Sequence, residues 1–241
     1  MCINRPFMKV EIWSDVMCPF CYIGKRRFEE ALRVFPHAED VQVEWKSFQL
    51  DPSLRKTTGK SINEYLAERK GMDVEQARRL NDQVTRMAAD AGLHYDFDKA
   101  VVAPSFDAHR FSHLASAHGL GDAAEEALFK AYFTEGKDIS DKAILVQLGL
   151  DIGLDADLVR DTLEGDAYAA DVRADIAEAA ELGARGVPFF VLDRKYAVAG
   201  AQPSDTFASA LTQAYAEWTQ QQKPLRDIAD GEVCTPGGDC A

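Results

Sequence analysis

The segment Cys18-Pro19-Phe20-Cys21 stands where an extended stretch gives way to a helix. The stretch before it, Lys9 to Trp13, alternates polar and apolar residues and is rich in Val and Ile, which predicts a strand. Pro19 suits the first helical position, because the N–H that proline lacks would have no partner there. Cys18 is therefore expected at the N-cap. There its sulfur would accept hydrogen bonds from the free amides of the first turn, and the positive end of the helix would favour its thiolate.

Cys21 lies one turn into the same helix, so we expect it to remain a buried thiol. The two cysteines then form an asymmetric pair, with an exposed nucleophile at Cys18 and a resolving partner at Cys21, as thiol–disulfide exchange requires. Other interpretations are half of a zinc site completed by Cys234 and Cys240, a structural disulfide, or two incidental core cysteines. The five residues between Cys234 and Cys240 are a loose spacing for zinc, and incidental cysteines do not need an N-cap. The sequence favours redox chemistry.

Composition limits the classes of function. The chain of 241 residues has 27 Lys and Arg against 40 Asp and Glu, a net charge of −13. Nucleic-acid binding needs a basic surface, and no apolar run approaches the ~18 residues of a membrane span, so we expect neither partner. The N-terminus lacks the pattern of a signal peptide. We therefore expect a cytoplasmic protein, where close cysteine pairs are more often redox-active or metal-binding than structural.

The order of elements predicts a mixed α/β fold. A helix over Pro19 to Val34 is followed by an alternating strand over residues 41–48. From Ser61 to about Gly165 the caps and breaks predict four or five helices. In one of them, Leu80, Val84 and Met87 recur at the spacing of a buried face.

Sheet signals return after a further helix, with strands over residues 186–192 and 196–200 and a last helix over residues 204–222. The domain organisation that follows is an α/β domain in two pieces, a helical insertion and a flexible tail. The α/β domain comprises residues 8–55 and 166–222, the helical insertion comprises residues 56–165, and the flexible tail comprises residues 223–241.

Val187-Pro188 lies at the start of the first of these late strands. Proline cannot donate a hydrogen bond to a sheet, so its presence there calls for an explanation. X–Pro bonds are cis in only ~5% of folded cases. A cis bond here would turn the backbone of Val187 outward beside Cys18. Its N–H and C=O would then be free to pair with an extended substrate segment.

Several segments in this order resemble the FrnE-like branch of the DsbA family. The similar segments are Trp13 to Lys25 around the cysteines, Ala131 to Ser140 in the insertion, and Gly186 to Phe190 and Gly200 to Pro203 near the end. The resemblance covers roughly Lys9 to Gln222. It implies an α/β, thioredoxin-like fold with an inserted all-helical domain. It also implies disulfide oxidoreductase activity, with Cys18 nucleophilic, Cys21 resolving and Pro188 cis.

The residues around the pair are candidate substrate contacts, namely Pro19, Phe20 and Val187. Members of the branch often carry Trp at the position of Phe20, a departure that leaves the chemistry intact and the redox potential open. We expect no metal and no cofactor beyond the redox-active disulfide, with glutathione as a candidate co-substrate.

Asp15 precedes the nucleophile by three residues. A buried carboxylate there could act as a proton shuttle for Cys21, although an Asp at such a junction more often accepts hydrogen bonds from loop amides, the interpretation we favour. His109 and His113 have the i, i+4 spacing of a metal site on one helix face. No third ligand is evident, so a metal there is not expected.

Cys234 and Cys240 lie in the tail, where the intervening Pro236, Gly237 and Gly238 allow a tight turn. FrnE-like proteins often end with such a pair. A reversible second disulfide is the leading interpretation, and a dithiol in a disordered tail is the alternative.

The favoured function is a protein disulfide oxidoreductase or isomerase that works through a mixed disulfide. Its substrate would be a disulfide-containing protein or small molecule, and an apolar patch on the insertion could form a homodimer. The alternative is a glutathione-dependent enzyme like the kappa-class glutathione transferases or 2-hydroxychromene-2-carboxylate isomerases, which share this fold and typically have Ser where this chain has Cys18. A third class is a non-catalytic binding protein.

Overall fold

The computed structural model describes residues 6–221. The strands are β1 (Met8–Ser14), β2 (Val41–Ser47), β3 (Phe189–Leu192) and β4 (Tyr196–Ala199). The helices are α1 (Pro19–Val34), α2 (Ile62–Lys70), α3 (Val74–Asp90), α4 (Phe106–Ala117), α5 (Gly121–Phe133), α6 (Lys142–Asp151), α7 (Ala156–Glu164), α8 (Ala169–Glu181) and α9 (Ser204–Gln221), with a short 3-10 turn at Ala38–Asp40. In the described range no helix is long and apolar enough to cross a membrane.

The four strands form one mixed sheet in the order β2-β1-β3-β4. β1 and β2 are parallel and are connected through α1, so the predicted β-α-β opening is confirmed. β3 is antiparallel to β1, and β4 is antiparallel to β3, which confirms the predicted closing hairpin. The sheet therefore places the end of β1, just before the cysteine pair, beside the start of β3, just after Pro188.

Six helices, α2 to α7, lie between β2 and α8. The prediction of four or five was too low, because α6 and α7 are short, at 10 and 9 residues. Gly153 separates them with a φ of +96°, a conformation that favours glycine. Asp155 then caps α7, accepting hydrogen bonds from the amides of Asp157 and Leu158.

Two large hydrophobic cores organise the described residues, beside a smaller cluster between the sheet and α8. One packs the sheet against α1 and α9, with Ile12, Phe28, Phe190 and Phe207 at its centre. The other fills the helical insertion, and it includes both Cys18 and Cys21. Each large apolar side chain buried in this way contributes about 1.5–3 kcal/mol to folding. The cysteine pair consequently lies where the sheet meets the insertion.

The buried face of α3 differs from the prediction at one position. Leu80 is 42% exposed, whereas Val84 is buried as expected. The buried face passes through Asn81 instead. The Asn81 side-chain amide donates a 2.7 Å hydrogen bond to the side-chain carbonyl of Asn63 on α2, which satisfies the buried polar group. Leu80 is thereby turned toward the cysteine pair's side of the insertion, where it lines an open groove.

Candidate active site

Cys18 caps the N-terminus of α1, as the sequence predicts. Its φ and ψ of −90° and 111° are extended, and Pro19 occupies the first helical position. The Cys18 amide donates a 2.9 Å hydrogen bond to the Asp15 carbonyl, and the Cys21 amide donates one of 3.0 Å to the Cys18 carbonyl. The turn before the helix and the first turn of the helix therefore hold both cysteines in fixed positions.

The Cys18 thiol differs from the prediction in two respects. It is only 4% exposed, so it is not an exposed nucleophile. It also accepts no capping hydrogen bond from the first turn of α1; instead it donates a 3.4 Å hydrogen bond to the Val187 carbonyl. A neutral thiol donates a hydrogen bond, and the Val187 carbonyl lies within its reach. The amides of the turn are themselves donors, so a bond to them would require the sulfur to act as the acceptor. The Val187 carbonyl is accordingly not free, contrary to expectation.

Cys21 is buried, at 1% exposure, and like Cys18 it is a free thiol. Burial raises the pKa of the Cys21 thiol well above its usual range, and the neighbouring Cys18 sulfur raises it further. The Ser14 hydroxyl and the Asp15 backbone amide lie beside Cys21, and both lower the pKa of its thiol. The Ser14 hydroxyl has no hydrogen-bond partner of normal geometry among the described residues. A thiolate at Cys21 would supply its missing acceptor.

Pro188 packs directly against α1, and the Val187–Pro188 peptide bond is cis. A Cβ added at Gly24 of α1 would lie 2.9 Å from the Pro188 Cγ, closer than carbon atoms normally approach. Gly24 thus permits the close contact that brings the loop before β3 to the N-terminus of α1. This contact is why Val187 lies within hydrogen-bonding distance of Cys18.

Asp15 is fully buried and holds two loops together. One carboxylate oxygen accepts a 2.7 Å hydrogen bond from the Leu50 amide, and the other accepts one of 3.2 Å from the Met17 amide. The second oxygen also lies 3.5 Å from the His109 Nε2 of α4. The carboxylate thus accepts loop amides, which is the interpretation the sequence favoured. It is the Asp15 backbone, rather than the carboxylate, that faces Cys21.

His109 and His113 contact different carboxylates. The His113 Nε2 lies 2.9 Å from Asp175, whereas His109 pairs with Asp15. No group of three or more His, Cys, Asp or Glu side chains within residues 6–221 could hold a metal ion. Burial alone would lower the pKa of the His109 imidazole, but the Asp15 and Glu125 carboxylates raise it overall.

A groove of about 610 Å³ opens beside the cysteine pair. One wall is formed by residues 17–20 and 185–187, which include Cys18, Pro19, Phe20 and Val187, and the other by helices α2 and α3 of the insertion. Phe20 is 38% exposed within it. The groove therefore brings together all three predicted substrate contacts and the predicted nucleophile.

Sequence reasoning missed several residues here. The Tyr95 hydroxyl donates a 2.7 Å hydrogen bond to the Pro19 carbonyl, and burial together with the two cysteines raises the pKa of Tyr95. Arg69, Lys70 and Arg185 line the groove. No local pattern marks these residues, because each comes to the site through packing of the insertion or of the loop before β3.

Cys234 and Cys240 lie outside the described residues. Their predicted second disulfide therefore stays a prediction, and the zinc site that the sequence disfavours is likewise untested.

The sequence matches the family described as a DSBA-like thioredoxin domain over residues 9–212. It is similar to the probable DsbA oxidoreductase SCO1869 from Streptomyces coelicolor, with 44% identity and a TM-score of 0.84 over 97% of this chain and 98% of that one. It is also 29% identical to the Bacillus subtilis protein YwbO over 206 residues, covering 84% of this chain and 95% of YwbO.

Two solved structures share the fold at lower identity. The cytosolic disulfide reductase DsbM from Pseudomonas aeruginosa is 20% identical with a TM-score of 0.61, over 86% of this chain and 99% of that one, and DsbM is also known with GSH. A 2-hydroxychromene-2-carboxylate isomerase is 16% identical with a TM-score of 0.64, over 90% of this chain and 100% of that one.

Proposed function

Since the chain belongs to the DSBA-like thioredoxin domain family and is a thiol–disulfide oxidoreductase, we propose that Cys18 and Cys21 are its reactive dithiol. The observation that carries the proposal is the Cys18 thiol at the N-terminus of α1, bonded to the carbonyl before cis-Pro188 and bordering the groove. Cys21 lies one helical turn behind it, within the insertion core. This is the arrangement that a nucleophile and a resolving thiol need.

The reaction proceeds in two exchanges. The Cys18 thiolate attacks one sulfur of a substrate disulfide, so that a Cys18–substrate disulfide forms and the other substrate sulfur leaves as a thiolate, which takes up a proton. The Cys21 thiolate then attacks the Cys18 sulfur, and the second substrate thiol leaves. The substrate disulfide gains two electrons and the dithiol becomes a Cys18–Cys21 disulfide. Oxidation of a substrate dithiol is the same sequence reversed, and disulfide isomerisation returns Cys18 as a thiolate.

The Val187 carbonyl accepts a hydrogen bond from the neutral Cys18 thiol, a contact that a thiolate cannot make. When Cys18 ionises, the Val187 carbonyl loses its donor and becomes available to an incoming substrate backbone. Val187, Pro19 and Phe20 are the substrate contacts in this proposal.

Asp15 is assigned to positioning. Its carboxylate ties the turn before Cys18 to the loop at Leu50, which lines the groove, so it sets the distance between the nucleophile and the groove wall. The earlier candidate role as a proton shuttle for Cys21 is less well supported, since the carboxylate is occupied by two amides and His109.

We further assign the activity to the cytoplasm, with glutathione as a candidate co-substrate. The support is the likeness to a disulfide reductase described as cytosolic and known with GSH. Cys234 and Cys240 would serve as a second redox pair that exchanges electrons with the first.

The glutathione-dependent isomerase remains the second candidate, and the likeness to such an isomerase in fold is the observation behind it. Those enzymes typically carry Ser at the position of Cys18, and they do not need a second thiol. The Cys21→Ser variant separates the two functions. A disulfide oxidoreductase should accumulate a mixed disulfide at Cys18 with a model disulfide peptide, detected by mass spectrometry after acid quenching, while a glutathione-dependent isomerase should turn over undisturbed.

A further inference from the structure

Three exposed apolar side chains line the groove beside Cys18. Phe20, Leu50 and Leu80 are 38%, 41% and 42% exposed, and all three line it. They come from α1, from the loop after β2 and from α3, so the apolar surface extends across both walls. Their position along the groove offers a bound molecule apolar surface that would be buried on binding.

The groove's charge is opposite to that of the chain. Its lining includes Arg69, Lys70 and Arg185 but no Asp or Glu, although acidic residues outnumber basic ones by 40 to 27 in the sequence. Arg69 is already compensated, because it lies 3.1 Å from the Asp51 carboxylate and donates to the Leu50 carbonyl. Lys70 and Arg185 are exposed and have no ion pair with any residue of the described range.

The two uncompensated cations lie on opposite walls. Lys70 is the last residue of α2, and Arg185 stands two residues before Val187 in the loop that contacts Cys18. A molecule bound in the groove beside Cys18 therefore shares it with both cations. An acidic group on either side of its reactive sulfur would meet a cation, whereas a basic group would be repelled.

We propose that this groove binds an extended, apolar polypeptide segment whose cysteine is flanked by acidic residues, with Lys70 and Arg185 as the specificity-determining side chains. The inference rests on the proposed function, because Cys18 must be the reacting thiol. A polypeptide fits better than a small anionic disulfide for two reasons. The three exposed apolar side chains give the apolar residues of a peptide a surface to pack against, and the Val187 backbone at the groove edge suits pairing with an extended chain.

The test uses three peptides of equal length and equal apolar content, each with one intramolecular disulfide. The residues flanking the cysteines are Asp and Glu in the first, Ser in the second and Lys in the third. Single-turnover rate constants with the reduced protein are measured at low and at high salt. We expect the acidic peptide to react about tenfold faster than the basic one at low salt, with the difference shrinking as salt screens the charges.

A charge-reversed protein, Lys70→Glu with Arg185→Glu, should reverse this order. The matched control is Arg33→Glu with Arg78→Glu, which changes the net charge equally at two exposed positions that do not line the groove. The control should keep the wild-type order. Equal rates for the three peptides, or the same response in both double variants, would overturn the inference.

Oxidised glutathione is measured in parallel as the small anionic disulfide. If it reacts faster than the acidic peptide and alone depends on Lys70 and Arg185, the polypeptide assignment is wrong. Failure of the proposed function has a different signature, because a Cys18→Ser variant would then still reduce all three peptides. Loss of all reactivity in Cys18→Ser, with no charge preference in the wild type, contradicts only the inference.

Discussion

The Cys18 thiol donates a 3.4 Å hydrogen bond to the carbonyl of Val187, the residue that precedes cis-Pro188. These two residues are far apart in the sequence and adjoin different strands of the sheet, since Cys18 follows β1 and Val187 precedes β3. The antiparallel pairing of β1 with β3 brings them together. The nucleophile is therefore positioned by the sheet as well as by its own helix.

At neutral pH, the attack of Cys21 on the mixed disulfide should be slower than the attack of Cys18 on the substrate. Burial and the adjacent Cys18 sulfur raise the pKa of Cys21, so only a small fraction is thiolate, and resolution of a mixed disulfide should accelerate about tenfold per pH unit below that pKa. Stopped-flow measurement of the second exchange between pH 6 and pH 9 checks this. A resolution rate that does not change with pH would show that Cys21 ionisation does not limit the step.

Ser14→Ala should slow resolution without slowing the first attack. The Ser14 hydroxyl lowers the pKa of Cys21, and a hydrogen bond to a charged group is worth about 1.5–3 kcal/mol, or roughly tenfold to a hundredfold. The midpoint of the pH profile of Cys21 alkylation, measured in a Cys18→Ser background, should move to higher pH. Ser112→Ala is the matched control, because that buried hydroxyl donates to Glu125 instead. An identical shift in both variants would mean a general loss of packing.

Gly24→Ala should disturb the contact between α1 and Pro188. The added Cβ would lie 2.9 Å from the Pro188 Cγ, and such overpacking typically costs about 1–3 kcal/mol. Thermal unfolding should show a lower Tm, and the rate of attack by Cys18 should fall because Val187 shifts. Gly165→Ala is the control, as its nearest contact is at an unremarkable 3.4 Å. Equal Tm values for both variants would contradict this role for Gly24.

His109→Gln should destabilise the protein by about 3 kcal/mol or more, since it leaves the Asp15 carboxylate buried without its charged partner. The folded state raises the pKa of His109 above 6.5, so protonation favours folding. The stability that the pair adds is fully present below pH 6.5 and is lost as the pH rises through the folded-state pKa. Denaturant unfolding at pH 6 and pH 8 should therefore show a larger wild-type-to-variant difference at pH 6. The reverse order would contradict an ion pair here.

Local sequence predicted the elements that carry the chemistry. Pro19 at the first helical position identified the start of α1, and the alternation of β1 and β2 identified the parallel pair. These signals are local, because helix capping and the alternation of side chains along a strand each depend on only a few neighbouring residues. The cis bond at Pro188 required the resemblance to a known family.

The environment of the site could not be predicted in the same way. Burial of Cys18, the pairing of Asp15 with His109 and the placement of Arg185 and Lys70 in one groove all depend on how the insertion packs on the sheet. Leu80 shows why, since its spacing fits a buried face, but the hydrogen bond between Asn81 and Asn63 selects a neighbouring face instead. A periodic pattern identifies which side chains are apolar, not which of them a partner helix covers.

The central claim is that Cys18 and Cys21 form a two-electron redox couple, and titration of the pair in glutathione buffers tests it most directly. A variant with Cys2, Cys234 and Cys240 replaced by Ser leaves only this pair, and zinc content is assayed in the intact protein beforehand. We predict a reversible two-electron transition that disappears in Cys18→Ser and in Cys21→Ser. Stoichiometric zinc in the intact protein, with no titratable pair, would contradict the account.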